Sequence, residues 1–481
     1  MPFNFQNIAL SLSGGGYRAA AFHLGCMACL HETQHEGEPL LNRLAILSSI
    51  SGGTITGVVY AHTLAQGGSF DDFYHKMYGF LKKDTLLTNA LSKLNNPDAW
   101  RDRPLKQRNL INAFALVYDE EFFHGATLGT LLEARSRLPE FAFNATDVEH
   151  SKMFRFAVSA NAVIGHSQSR LTTEAAREIR LADIVAASSC FPGGFEPLLM
   201  PGDFAASADS ALSSLWEKRR PVRLMDGGIT DNQGIESVKL FERRMSKEGK
   251  VPYIGAFIVS DASRKEIAGL ADEDTGKTSF FLQWSLRQYQ VLAAMLAVVA
   301  LVILVASGEK VLIIPASMVL SICLLCLGAS YLMARKFVSA VKGIVSQESP
   351  GYLSDFEILQ TVPLKYVLLQ LNARLSSLGR LGDVFLSRIR DMNYKSLFGD
   401  SYWRDRVITC YIYHLLGKPS GVQQSVELAN RMDTTLWFSA GQKQPGALML
   451  DALVEAGRAT MDHQLREKMA GGIQEPDLLN P

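Results

Sequence analysis

Two stretches of this sequence combine residue types and spacing suited to chemistry. In the first, Ser51 lies at the centre of Ser49-Ile50-Ser51-Gly52-Gly53, between the apolar run Leu44 to Ser48 and the helix-compatible run Thr54 to Leu64. Strand, tight turn and helix in that order describe a nucleophile elbow, which needs small residues two before and two after the serine. Gly53 meets the second requirement, and Ser49 stands where glycine is usual. The pattern is short, and ordinary strand-to-helix turns share it. The second stretch, Gly14-Gly15-Gly16, sits between the apolar run Ile8 to Leu12 and the helix-compatible run Tyr17 to Leu30. Consecutive glycines at a helix start leave backbone N–H groups unscreened, and such groups bind negative charge. That chemistry suits either a phosphate cradle or an oxyanion hole.

Both stretches require a strand that delivers the turn and a helix that carries it away. Strands alternating with helices predict an α/β fold with a sheet covered on both faces. Phe70 to Lys83, Asp84 to Leu94 and Thr127 to Arg135 read as further helices. Phe154 to Val163, Val222 to Met225 and Tyr253 to Ser260 read as strands, and Asp203 to Arg220 reads as a flap with little ordering pattern.

Taken together, the motifs resemble the patatin-like phospholipase family. The glycine turn is Gly14-Gly15-Gly16-Tyr17-Arg18-Ala19, with Ala for the family's last Gly. The serine elbow follows, then the Ala/Ser-rich stretch Ala186 to Pro197, then Met225-Asp226-Gly227-Gly228. Four motifs in family order span most of residues 1 to 262. The resemblance implies a three-layer α/β/α fold with a central, mostly parallel sheet. It also implies a Ser51–Asp226 dyad, with an oxyanion hole at Gly14, Gly15 and Gly16. Arg18, Gly53, Gly227 and Gly228 would support the site, Arg18 by bracing the glycine loop or a substrate phosphate. No metal and no cofactor is expected. The implied reaction is hydrolysis of a glycerolipid ester through an acyl-enzyme, of phospholipase A type. Acyl transfer, hydrolysis of another ester, and a catalytically silent membrane-bound interaction module are the alternatives.

Two rival motif readings are weaker. The glycine run also fits the dinucleotide fingerprint, but Leu44 to Ser48 ends in serines where that fingerprint needs an acidic residue. A Ser-His-Asp hydrolase would place its elbow after several strands, and Ser51 comes early. His166, His414 and His463 are the histidines to check.

Lys+Arg and Asp+Glu both number 48, so net charge gives no pull toward nucleic acid. Cys26 and Cys29 form a lone Cys-x-x-Cys, read as buried reduced thiols. Met1 to Asn4 lacks a basic leader, which predicts a catalytic part that stays cytoplasmic. Trp100 to Arg108 carries four basic residues, for anionic headgroups or for a solvated loop.

Composition shifts sharply after the first part. Val291 to Ala306 and Val311 to Ala334 are uncharged, separated by Ser307-Gly308-Glu309-Lys310. A spanning helix needs about 20 apolar residues, so the pair predicts a transmembrane hairpin with helices over about 289–307 and 311–334. Lys277 and Arg287 precede it, and Arg335, Lys336 and Lys342 follow it, which puts both flanks in the cytoplasm. The expected organisation is a catalytic region over 1–285 and a hairpin over 286–336. A mostly helical part over 337–470 would complete the catalytic domain, before a disordered tail over 471–481. Within that third part, Thr434 to Phe438 reads as an edge strand and Leu448 to Met461 as a final helix. The expected partners are a phospholipid or other glycerolipid and the bilayer, with oligomeric state open.

Overall fold

The structure is a computed structural model describing residues 3–159, 163–216, 219–246, 253–264, 283–306, 310–345, 363–418, 421–432 and 446–471. The chain divides into two compact units, one of residues Met1–Ile267 with Asp383–Pro481, the other of Ala268–Gly382.

The first unit is built on a mixed sheet. Its principal strands are β1 (Ile8–Leu12), β2 (Leu44–Ile50), β3 (Glu140–Asp147), β4 (Lys152–Val158), β5 (Val222–Asp226), β6 (Ala256–Asp261) and β7 (Val407–Tyr411). They run in the order β7-β6-β1-β2-β3-β4, with β5 paired to β3 off that path. The pairs β7–β6, β6–β1, β1–β2 and β2–β3 are parallel, while β4 and β5 each run antiparallel to β3. Every residue of β1 and β6 is buried. That is expected of parallel strands covered on both faces, and it explains why they read as apolar runs without alternation. With helices on the sheet, the architecture is the α/β/α type that the motifs implied.

Helix α1 (Gly16–Glu32) leaves β1, and helix α2 (Gly52–Ala65) leaves β2. Helix α3 (Leu181–Ser188) is almost wholly apolar and buried. The expected strand over Phe154 to Val163 is β4, which begins and ends earlier, at Lys152–Val158. The described part of the expected flap over Asp203 to Arg220 is packed: Asp203, Phe204, Ala205, Leu212 and Trp216 are buried, and Ala211–Trp216 is helical. The carboxylate of Asp203 accepts the N–H groups of Gln107 and Leu199, which pins the segment.

The second unit holds α4 (Leu286–Ala306) and α5 (Lys310–Val345), packed against each other. At 1.5 Å per residue, α4 is about 30 Å long, the thickness of a bilayer core. The packing is inverted relative to a water-soluble helix pair. Small residues meet inside, with Ala300 3% exposed, while large apolar ones point out, with Val305 82% exposed. Small residues let helix backbones approach, and outward Val, Leu and Ile suit hydrocarbon. Gln290 Nε2 donates to Ser330 Oγ at 3.1 Å across the pair. The base is closed by an antiparallel bridge between Ser285 and Pro363. Residues 307–309 and 346–362 lie outside the described residues.

Helix α6 (Leu364–Phe398) begins in the second unit and belongs to the first from Asp383 on. It leads to β7 and then to helix α7 (Gly446–Met469), which packs on α1. A Cβ at Gly25 would lie 2.0 Å from Val454 O, and one at Gly457 2.1 Å from Phe22 O. Backbone meets backbone at both crossing points, so only glycine fits. The Thr434 to Phe438 strand and the tail from residue 472 lie outside the described residues.

Candidate active site

The register of β3 explains why Ser51 and Asp226 meet. Strand β2 runs parallel to β3, and its last residue, Ile50, pairs with Asn144. Strand β5 arrives antiparallel, and its last residue, Asp226, pairs with Ala145. Two strands of opposite direction therefore end at adjacent rungs of one ruler. The Ser51 hydroxyl lies near enough to the Asp226 carboxylate there to pull its pKa down.

Ser51 has φ 49° and ψ −121°, a conformation that side chains rarely adopt. Such backbone persists only where its surroundings hold it. Ser188, at the end of α3, does that. Its Oγ accepts the Ser51 N–H at 2.9 Å and lies 2.6 Å from Asn144 O and 2.8 Å from Thr54 Oγ1. Ser49 Oγ is 3.0 Å from the same Thr54 hydroxyl, so the serine that replaces glycine in the elbow helps fix the start of α2. Gly53 packs on the end of β1: a Cβ there would be 2.6 Å from Leu12 O.

The glycine loop lies beside the elbow because β1 and β2 end level, with Leu12 opposite Ser49. A Cβ on Gly14 would come within 3.3 Å of Ser51 Cβ and 2.3 Å of Asn232 Oδ1. The Gly14 N–H is already engaged, donating to Asn232 O at 3.0 Å. Of the three glycines expected to form the oxyanion hole, Gly14 is therefore a hinge of the loop and not a free donor. Among the described residues, the Gly15 and Gly16 N–H groups have no acceptor. They open α1, as Ser51 opens α2, so two helix N-termini face one point. Below the loop, His23 Nε2 lies 2.9 Å from Ser13 O and its Nδ1 2.7 Å from Ser260 Oγ. Burial lowers the His23 pKa to about 4, so the ring is neutral and holds the Ser13 carbonyl as a fixed donor.

Asp226 is 5% exposed and Ser51 7%. Burial pushes the Asp226 carboxyl up to about 6, against the opposing pull of the Ser51 hydroxyl and the Gly228 N–H. Gly228 N–H donates to Asp226 Oδ1 at 2.8 Å, Cys190 O accepts the Asp226 N–H, and Thr146 Oγ1 donates to Asp226 O. Gly227 is required by packing, since a Cβ there would be 2.5 Å from Asn144 O. A carboxylate with a pKa raised in this way has the range that general-base chemistry needs.

The remaining candidates fall elsewhere. Arg18 Nη1 donates to Met432 O at 2.9 Å, and its Nη2 lies 3.6 Å from where a Gly15 Cβ would be. The guanidinium thus passes beside the glycine loop and is fixed to the Met432 carbonyl. Asp231 accepts the N–H groups of Gln233, Gly234 and Glu236, so it shapes the turn after Asp226. His166 Nε2 bonds Asp147 at 2.9 Å, His414 Nδ1 accepts the Tyr411 N–H, and His463 lies 3.9 Å from Glu467. None of them bonds Ser51 among the described residues. Asp147, His150 and His166 have metal-ligand donor types close together. Yet Gln168 N–H donates to His166 Nδ1, so Nε2 keeps its proton and donates to Asp147: the trio is a hydrogen-bonded clasp of the β3–β4 turn.

The basic stretch after Trp100 is not a headgroup patch. Arg103 and Lys106 are buried on Asp183, at 2.6 and 2.9 Å, and Arg108 donates to Leu94 O. Cys26 and Cys29 are buried free thiols, and burial pushes Cys29 up to about 12. Two surface cavities of about 600 and 850 Å³ are lined by Arg458 and by Arg43 with their neighbours, and neither contains Ser51. Ser188, Asn144 and Asn232 are site residues that sequence reading missed. Only Ser188 had a signal, its place in the Ala/Ser-rich motif.

Residues 10–239 match the family model described as patatin-like phospholipase. No curated protein sequence matches the chain. Among solved structures, VipD from Legionella pneumophila is similar over 95% of this chain and 67% of its own, at 11% identity and TM-score 0.30. Human GIVD cytosolic phospholipase A2 is similar over 53% of this chain and 45% of its own, at 13% identity and TM-score 0.35. This chain thus spans less than half the length of the human protein. The glycine loop, the elbow and Asp226 all fall inside the stretch that is similar to the patatin-like phospholipase family.

Proposed function

We propose that the chain is a membrane-anchored serine lipid acyl hydrolase that cleaves carboxylic esters of glycerolipids. The observation that carries this reading is the register that ends two strands of opposite direction at Ser51 and Asp226, beside the unengaged Gly15 and Gly16 N–H groups. Ser51 Oγ attacks the ester carbonyl carbon as its proton passes to Asp226. The carbonyl π pair moves to oxygen, and the resulting oxyanion faces Gly15 and Gly16. Collapse expels the alcohol half of the lipid, which takes the proton from Asp226. Water then attacks the acyl-serine, again losing a proton to Asp226, and the fatty acid leaves as Ser51 is reprotonated.

Trapping with a fluorophosphonate ester probe tests the assignment. The label is expected on the peptide containing Ser51, and it should vanish in Ser51→Ala. Label on another residue, or none on folded protein, would remove the hydrolase reading.

The hairpin supplies the anchor in this reading. Its outward Val, Leu and Ile and its basic flanks support two crossings with both soluble parts in the cytoplasm. An anchor raises the local concentration of lipid at the site without altering the chemical step. Replacing Tyr289 to Ala334 by a short linker is expected to move the folded protein into the soluble fraction. Misfolding of the shortened chain, together with extraction of the full chain by carbonate, would make the hairpin a core element instead.

A further inference from the structure

The hydrogen bonds that hold the Asp226–Asn232 turn extend beyond the family-matched residues. Asn232 is the contact between that turn and the glycine loop: its carbonyl accepts the Gly14 N–H, and its Oδ1 packs where side chains on Gly14 and Gly228 would be. Its neighbour Asp231 is 1% exposed and its carboxylate accepts three backbone N–H groups of the same turn. A further donor to Asp231 comes from α6. Asn393 Nδ2 lies 2.9 Å from Asp231 Oδ1 and 3.4 Å from Gln233 Oε1.

Asn393 is itself held in place. Three residues earlier on α6, Arg390 Nε pairs with Asp261 Oδ2 at 3.1 Å and its Nη2 donates to Tyr413 Oη at 2.7 Å. The Arg390 guanidinium also lies over the rings of Tyr394, Tyr411 and Tyr413. Tyr394 Oη donates to Asp261 Oδ2 at 2.8 Å. Asp261 ends β6, next to β1 in the sheet. One end of α6 is thus fastened to the sheet by Arg390 and Tyr394, and Asn393 reaches from it to the catalytic turn.

We propose that Asn393 is a positioning residue for the hydrolytic site, holding Asp231 so that Asn232 keeps the glycine loop, and with it the Gly15 and Gly16 donors, against Ser51. The inference rests on the hydrolase reading above. Asn393 touches no reacting atom. It acts by restricting a carboxylate that would otherwise be held from the turn side only, and a loose supporting shell is costly where donors must meet a developing charge. Loss of that support weakens transition-state contacts more than ground-state ones, so it should lower kcat and leave KM in place.

The test uses the full chain with Asn393→Leu, which removes the donor at similar size, and Asn393→Gln, which keeps an amide. Asn393→Leu is expected to slow ester turnover and fluorophosphonate labelling of Ser51 in parallel, by roughly 10-fold to 10²-fold, with KM within about twofold. Asn393→Gln should recover much of that loss. Tyr394→Phe, which cuts a bond to Asp261 only, should change kcat far less than Asn393→Leu. A folded Asn393→Leu variant with parental kcat overturns the proposal while the hydrolase reading stands. If Asn393→Leu does not fold, a folded Asn393→Gln variant slowed 10-fold or more overturns it too. Absence of Ser51 label in the parent protein overturns both.

Discussion

Asp226→Asn is expected to reduce kcat on the order of 10²-fold to 10⁴-fold, the range for loss of a general base. Asparagine keeps the shape and an oxygen for the Gly228 N–H, so the loss reports basicity and not packing. In the parent enzyme kcat/KM should rise with pH as Asp226 ionises near its raised pKa of about 6. The variant's residual activity should lack that rise. Stability should move the other way. A carboxyl whose pKa is raised in the folded state favours that state below its unfolded pKa, and the advantage disappears as pH climbs through the folded value. The charged form is therefore a burden above about pH 6, and asparagine removes it. Thermal midpoints of parent and variant should coincide near pH 4 and diverge by pH 7, with the variant higher. Equal kcat in the two proteins, or a lower midpoint for the variant at pH 7, would contradict the assignment.

Gly52→Ala should be among the most damaging methyl additions at the described glycines. A Cβ there would fall 2.0 Å from Gly16 O and 2.7 Å from Gly16 N. Both belong to the backbone of the glycine loop, so no side chain can swing aside. Overpacking costs about 1–3 kcal/mol where side chains yield, and more where they cannot. Displacing one oxyanion donor costs about 10²-fold to 10³-fold in kcat. The combined expectation is a lower thermal midpoint and Ser51 labelling slowed at least 10²-fold. Gly79→Ala is the control: nothing lies within 4 Å of its Cβ position, and it sits inside the helix Phe70–Lys83. Alanine there should stabilise slightly, by roughly 0.5–1 kcal/mol. A Gly52→Ala protein that labels at the parental rate would show that the loop and elbow are not coupled.

The parts of the site legible in sequence are those written in consecutive residues. Ser51 with Gly53, the run Gly14–Gly16 and Asp226 with its two glycines each report a tight turn through small residues, and each turn is present. The strand that brings them together was not legible. Glu140–Asp147 is buried along nearly its whole length yet carries Asn144, Thr146 and Asp147, so it shows neither clean alternation nor an apolar run. Its polar side chains are satisfied by residues far along the chain, Asn144 by Ser48 and Ser237, and Asp147 by His150 and His166. Val407–Tyr411 was hidden for a related reason. It joins the sheet through Phe257, and no local pattern separates it from the helices around it. Asn232 and Asn393 act through contacts between distant segments, which spacing cannot reveal.

The crossing of α1 and α7 bears on how the protein is made. Chains emerge from the ribosome N-terminus first, and early segments begin to fold as they appear. Helix α1 comes out almost at once, but Cys26 waits for Gly457, 431 residues later, to lie against it. Strand β7, beside β6, also follows the hairpin in the order of synthesis. The sheet and the packing on α1 therefore remain unfinished throughout translation of the two apolar helices, and are completed only after them. A cell making this protein has the two apolar helices in hand before the sheet and the α1–α7 crossing are complete.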